Sequence, residues 1–250
     1  MNTDGDQLPL GKLARITGGF YLAYVIASVL AGVLGSIGLG TVPQISQAIL
    51  TNPGSFRLGL VIALISGCLF LVVAWGLDVI LRPVNRDLAL LFLALNAVGV
   101  AIQGAAFLSL VSALLQTDAA SHMQAYSSAQ LEGLAYLSIG VYKAGWVTAQ
   151  LFFGTWLFPL GYLVYKSGIL PWGLGVLLVL DGIAVMIWFL QALLLPDNPA
   201  IRYPGLVVSF IAEVGLALWL LFKGVKVVHA GPGAAGQKQV AAPQAEGTSA

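Results

Sequence analysis

Charged residues are scarce in this chain. Only 8% of its 250 residues are Asp, Glu, Lys or Arg, whereas an average soluble domain carries about 25%. The formal net charge is +1, and no basic stripe with interleaved aromatic residues is present, so the composition excludes a general nucleic-acid-binding protein. Hydrophobic residues make up 59% of the chain and the mean hydropathy is +0.93, which predicts a polytopic membrane protein.

Cysteine and histidine are almost absent. Cys68 is the single cysteine, so an internal disulfide is excluded. The two histidines, His122 and His229, fall in a predicted outer loop and in the C-terminal tail, so neither can ligate a haem or a metal at membrane depth. HExxH, GxSxG and glycine-rich phosphate-loop motifs are missing as well. We therefore predict no catalytic residue, no metal site and no cofactor.

Long apolar runs dominate the rest of the chain. A bilayer core of ~30 Å needs about 20 apolar residues per helix. Six segments reach that length: 16–40, 58–81, 88–115, 139–165, 172–195 and 205–227. We predict an all-α, polytopic transmembrane bundle of about six helices, formed by residues 1–228 as one domain in contact with the lipid bilayer. The tail 229–250 is rich in Gly, Ala, Pro and Gln and is predicted to be disordered.

Basic residues are divided unequally between the two sides of this predicted bundle. If the N-terminus is cytoplasmic, three of the 11 Lys and Arg residues lie outside (Arg57, Lys143 and Arg202), and the other eight lie on the cytoplasmic side. Cytoplasmic loops of membrane proteins are enriched in Lys and Arg. Both termini are therefore predicted to be cytoplasmic.

Two outer connections carry local helix signals. Ile45 and Ile49 are spaced i,i+4 ahead of a turn at 52–54, which predicts a short helix lying on the outer interface. The stretch Ser127-Ser128-Ala129-Gln130 resembles a capping box, so the fourth spanning helix is expected to begin near Ser128.

Small residues recur at every fourth position of the first spanning segment: Ser28, Gly32, Ser36 and Gly40. Such a stripe lets a second helix approach closely. We expect it to form a packing contact within the bundle, with a homodimer face as the alternative.

Two carboxylates, Asp181 and Glu213, lie inside apolar runs that hold no nearby basic residue. An ionised carboxylate in hydrocarbon is costly by several kcal/mol, so such residues face a bundle interior and mark a site or a key contact. At 1.5 Å per residue, both lie roughly 15 Å from the cytoplasmic helix ends, near the midplane. Asp78 differs, because Arg82 stands one turn later and predicts an interfacial ion pair.

Uncharged polar residues occur at similar depths. Asn96 lies about 13–14 Å and Thr155 about 16–17 Å deep, and Pro159 leaves the carbonyl of residue 155 without its usual N–H partner. Gln103 and Gln150 form a second layer about 24 Å from the cytoplasmic ends. With the two acids, these four residues are the candidate ligand-binding set, lining a cavity open to the outer side. Alternatively, each polar side chain bridges neighbouring helices, with the carboxylates protonated.

Five stretches carry a family pattern: 14–18 (ARITG), 56–59 (FRLG), 81–86 (LRPVNR), 150–154 (QLFFG), and 161–168 (GYLVYKSG) followed by Leu170-Pro171. Over about residues 12–227 they resemble the bacterial integral-membrane family named domain of unknown function 4386. The resemblance implies an integral fold in the bacterial inner membrane. It brings no activity with it.

These observations favour one function and leave two alternatives. The favoured interpretation is a non-enzymatic membrane protein that binds or moves a small or lipid-like ligand, with protonation of Asp181 or Glu213 as the coupling event. The first alternative is a structural or accessory subunit that docks to another membrane protein through its small-residue faces. The second is a membrane-embedded enzyme.

Overall fold

The computed structural model describes residues 10–118 and 126–225, and in these ranges it is all-helical. The helices are α1 (Leu10–Gly35), α2 (Val42–Thr51), α3 (Pro53–Leu81), α4 (Arg86–Asp118), α5 (Ser128–Ser167), α6 (Trp172–Leu194) and α7 (Tyr203–Leu218). All except α2 belong to helical segments long and apolar enough to cross a membrane. The predicted bundle of six spans is thus confirmed. The tail 229–250 and His122 lie outside the described residues.

The six spanning helices form a ring in chain order. Each packs on its neighbours in sequence, and α7 with the π-helical turn that follows it (Trp219–Lys223) packs back on α1. One end of the ring, here named the basic end, carries Lys12, Arg15, Arg82, Arg86, Lys166 and Lys223. The opposite, far end carries Arg57, Lys143 and Arg202. An even number of crossings places Leu10 and Lys223 on the same side, and the assignment of that side to the cytoplasm stays a prediction.

The local helix signals are confirmed. Ile45 and Ile49 of α2 are buried against the far ends of the spanning helices. At the start of α5, the Ser127 N–H donates to Gln130 Oε1 at 2.8 Å, and the Gln130 N–H donates to Ser127 Oγ at 3.3 Å. This reciprocal pair satisfies two N–H groups that the helix itself leaves free.

The ion pair predicted at the basic end is also confirmed. The Arg82 guanidinium donates to Asp78 Oδ2, one helical turn away. Asp78 is fully buried, whereas the Arg82 side chain is half exposed. The half-exposed guanidinium of Arg82 therefore neutralises the buried carboxylate of Asp78.

The first helix departs from prediction in two ways. It ends at Gly35 instead of residue 40, because residues 36–40 turn back with left-handed backbone at Ser36 (φ +55°) and Gly38 (φ +97°). The expected helix contact at the small-residue stripe is wrong. A Cβ placed on Gly32 would meet only the carbonyl oxygen of Ile37, at 3.5 Å, and nothing from another helix.

Close helix contacts of α1 lie elsewhere. A Cβ on Gly18 would lie 2.8 Å from the carbonyl oxygen of Ala217, so the backbones of α1 and α7 touch there. On its other side, α1 meets α3, where a Cβ on Gly59 would lie 3.2 Å from the Leu34 side chain. Glycine permits both approaches because it has no side chain to separate the helices.

Candidate functional site

A cavity of about 660 Å³ opens inside the ring, between α1 and the helices α3 to α7. Sites for small molecules have volumes of roughly 300–1,000 Å³ and are mostly apolar, with a few convergent polar groups. This cavity has that character. Its polar lining comprises Tyr24, Ser28, Ser36, Gln44, Ser66, Gln103, Trp146, Gln150, Trp188, Ser209 and Glu213.

The cavity reaches the surface through a lateral gap between α1 and α7. The two helices touch at Gly18, near the basic end, and the cavity separates them farther along. Val29 and Val33 of α1 and Phe210 of α7 line the cavity and are nonetheless 58%, 76% and 60% exposed. These residues form the rim of what we name the α1/α7 gap. In a bilayer this rim faces lipid.

Aromatic side chains from three helices line the deep part of the cavity. Tyr24 and Phe70 stack with ring centroids 4.3 Å apart, and Trp156 meets Phe70 edge-on at 5.2 Å. Phe153 lies 5.4 Å from Phe70. We name Tyr24, Phe70, Phe153 and Trp156 the aromatic wall. Such edge and offset geometries stabilise a cluster beyond its buried area.

One face of α7 brings the acidic group to the cavity. Leu206, Ser209, Phe210 and Glu213 follow i, i+3, i+4, i+7 spacing, so all four project from the same side of the helix. Glu213 is partly buried, and among the described lining residues it alone is charged. It therefore sets the electrostatic character of the cavity.

Asp181 of α6 lies behind this face. It is fully buried, and its Oδ1 accepts a hydrogen bond from the Ser209 hydroxyl, while its Oδ2 has no partner among the described residues. Glu213 is within electrostatic range of Asp181 and of the hydroxyls of Tyr21 and Tyr24. Asp181 thus lies outside the cavity lining and is joined through Ser209 to the face of α7 that carries Glu213.

The far end of the cavity is covered by the turn 36–40. The Gly38 N–H donates to the Tyr142 hydroxyl at 2.8 Å, and Lys143 Nζ donates to the Gly38 carbonyl, also at 2.8 Å. The Trp146 ring packs against Gly38, and its buried Nε1–H has no partner in the described chain. Two residues of α5 therefore hold the turn over the far end.

The structure places the predicted site residues in three groups. Glu213, Gln103 and Gln150 line the cavity, and Asp181 is joined to its wall through Ser209. Thr155 lies outside the lining, with its hydroxyl donating to the Leu151 carbonyl at 2.7 Å. Their ligand-binding roles stay predictions.

Asn96, the remaining predicted residue, is also absent from the lining. It is fully buried, and neither its amide oxygen nor its amide nitrogen has a hydrogen-bond partner among the described residues. Burying an unpaired amide is costly.

Several lining residues were not identified from the sequence. Phe70, Phe153 and Trp156 carry no sequence signal of a cavity, because aromatic side chains in apolar helices are equally typical of a packed core. Ser209 did carry a usable signal, since it stands one helical turn before Glu213 and so shares its face.

Comparison with known proteins bears on the family. The family model described as "Domain of unknown function (DUF4386)" matches residues 16–224. An uncharacterised protein of Archaeoglobus fulgidus is 38% identical over 82 residues, which cover 31% of this chain and 44% of the archaeal protein. The aligned region thus spans less than half of that relative. No solved structure matches.

Proposed function

Because this chain belongs to the family of domain of unknown function 4386, whose name assigns no activity, we propose its function from the cavity. It binds an amphipathic, lipid-like molecule that enters from the bilayer through the α1/α7 gap. The site of action is the cell membrane, and we expect a bacterial inner membrane. The observation that supports this most directly is a large cavity whose rim is made of exposed apolar side chains.

The route of entry follows from what covers the cavity. The turn 36–40 lies across the far end, where Tyr142 and Lys143 hold it, and α1 meets α7 at Gly18 toward the basic end. The rim of the gap offers apolar contacts at Val29, Val33 and Phe210. A molecule dissolved in the hydrocarbon core meets this rim without leaving the lipid phase.

The polar lining supports an amphipathic ligand over a pure hydrocarbon. Gln103, Gln150 and Glu213 bring amide and carboxyl groups into an otherwise apolar space. Buried polar groups are costly unless they are hydrogen-bonded, and a ligand headgroup would supply those bonds. Protonation of Glu213 or Asp181 would change the charge that this headgroup meets, which is how binding would couple to proton movement across the membrane.

A spectroscopic experiment tests lipid entry. Trp156 is 1% exposed and lines the cavity, so annular lipid cannot reach it directly. A phospholipid with brominated acyl chains quenches tryptophan fluorescence by contact. We expect bilayers of this lipid to quench a variant that retains only Trp156, with the other five tryptophans changed to Phe. A variant that retains only Trp172, which is 69% exposed, serves as the positive control.

A cavity-filling pair of variants locates the quenching. Gly32→Leu projects a side chain into the cavity, whereas Gly140→Leu adds the same side chain where no neighbour lies within 4 Å and no cavity is lined. Quenching of Trp156 should fall in the first variant and persist in the second. Absence of Trp156 quenching while Trp172 is quenched would contradict the proposal and favour the accessory-subunit alternative, in which a partner's helix fills the gap.

A further inference from the structure

We propose that the ligand of this cavity is a lipophilic organic cation, held between the Glu213 carboxylate and the aromatic wall. The inference rests on the proposed function and specifies its substrate class. It follows from the charge of the lining, from the chemistry of the wall and from the placement of the basic residues.

The charge of the lining has one sign. Glu213 is the charged group among the lining residues in the described ranges, and no described residue forms an ion pair with it. A carboxylate at membrane depth is costly to keep ionised without a counter-charge. A cationic ligand provides that counter-charge, whereas an anionic ligand would add a second negative charge to the same space.

The basic residues Lys143 and Arg202 at the far end are engaged with other groups. Lys143 Nζ donates to the Gly38 carbonyl, and the Arg202 guanidinium lies 5.5 Å from the Tyr203 ring centroid. Neither residue lines the cavity. The turn 36–40 lies across the far end, so a cationic ligand would enter through the lipid-facing α1/α7 gap.

The aromatic wall supplies the second recognition element. Tyr24, Phe70, Phe153 and Trp156 all line the cavity. A cation within about 6 Å of an aromatic ring face is attracted by the ring quadrupole, and the attraction is stronger when the cation is desolvated. An acid beside several aromatic rings is thus suited to an alkylammonium or arylphosphonium group, which carries its charge inside an apolar shell.

Proton and ligand would compete for Glu213. The titratable groups that face it are Tyr21 and Tyr24 from α1 and Asp181 from α6. From α3, α4 and α5 no charged residue in the described chain lines the cavity. Protonation neutralises the carboxylate and removes the attraction, so a permanent cation should bind more weakly as the pH falls.

The test compares two ions of nearly equal size and opposite charge. Tetraphenylphosphonium and tetraphenylborate are measured by equilibrium dialysis against the purified full chain in nanodiscs, with empty nanodiscs subtracted. We expect tetraphenylphosphonium to bind and tetraphenylborate to bind far more weakly. Glu213→Gln should weaken phosphonium binding by roughly thirtyfold or more, the scale of removing one member of a buried charge pair. Glu132→Gln changes an exposed acid on α5 and should leave binding unchanged.

Equal binding of the two ions by the unmodified chain would overturn the inference, and that measurement needs no variant to fold. Unchanged phosphonium binding in Glu213→Gln, or binding that strengthens at low pH, would overturn it as well. If Trp156 is still quenched by brominated lipid in that case, lipid entry stands and only the cation assignment fails. If neither binding nor quenching occurs, the proposed function fails with it.

Discussion

The contact between α1 and α7 at Gly18 determines where the cavity begins, and it can be tested with a single methyl group. A Cβ at Gly18 would lie 2.8 Å from the Ala217 carbonyl oxygen and 2.9 Å from the Leu220 carbonyl carbon. Both distances are well below ordinary van der Waals contact, and both neighbours are backbone atoms that cannot rotate away. The helices must therefore move apart in Gly18→Ala.

The expected change in the free energy of unfolding of Gly18→Ala is the sum of two opposing effects. Overpacking a tight contact costs about 1–3 kcal/mol, and replacing a helical glycine by alanine returns up to about 1 kcal/mol. Because the atoms nearest the new methyl group are backbone atoms of residues 217–221, we expect a net loss of about 1–2 kcal/mol in the free energy of unfolding. For a chain of this length, each kcal/mol shifts Tm by about 2–4 °C, so Tm should fall by about 2–8 °C.

Gly32→Ala is the matched control on the same helix. Its new methyl group enters the cavity and meets only the Ile37 carbonyl oxygen at 3.5 Å, so the gain in helix propensity should raise Tm slightly. Both variants are measured by thermal unfolding in the same detergent. A Gly18→Ala variant as stable as the unmodified chain, or a Gly32→Ala variant that loses as much, would refute the assignment of α1 contacts.

Two further predictions concern the ends of the bundle. Arg82→Ala should lower the free energy of unfolding by about 2 kcal/mol, because the buried carboxylate of Asp78 loses its hydrogen-bonded partner, which is itself half exposed. Adding Asp78→Asn should recover part of that loss. Full thermal stability of the single variant would contradict this. Orientation is tested with a membrane-impermeant thiol reagent in a Cys68→Ala background. Asn85→Cys should react only from the cytoplasmic side, and Asn198→Cys only from outside. The reverse pattern would overturn the predicted orientation.

The elements that depend on local signals were predictable from the sequence. The spanning helices follow from apolar run length, and the start of α5 follows from the reciprocal bonding that Ser127 and Gln130 make within four residues. The end of α1 was placed too late, because the left-handed turn after Gly35 depends on Tyr142 and Lys143, over 100 residues away.

For the candidate site, the sequence predicted the depth of each residue in the bundle but not the side of the helix on which it lies. Counting residues at 1.5 Å each gives the depth of a side chain in the bundle, but not the direction in which it points around the helix axis. Asn96, Thr155 and Glu213 have similar depths, yet only Glu213 lines the cavity. The prediction of a helix contact at the small-residue stripe of α1 was wrong for a related reason. It identifies a face that lacks large side chains, which serves equally well against another helix or beside an open space.

A crystal structure from crystals grown in a lipidic mesophase tests most directly whether the α1/α7 gap is an entrance for a lipid-like molecule. It should contain elongated non-protein density that passes between Val33 and Phe210 and ends beside Glu213. Close contact of α1 and α7 along their whole length, with no space beside Glu213, would contradict the account.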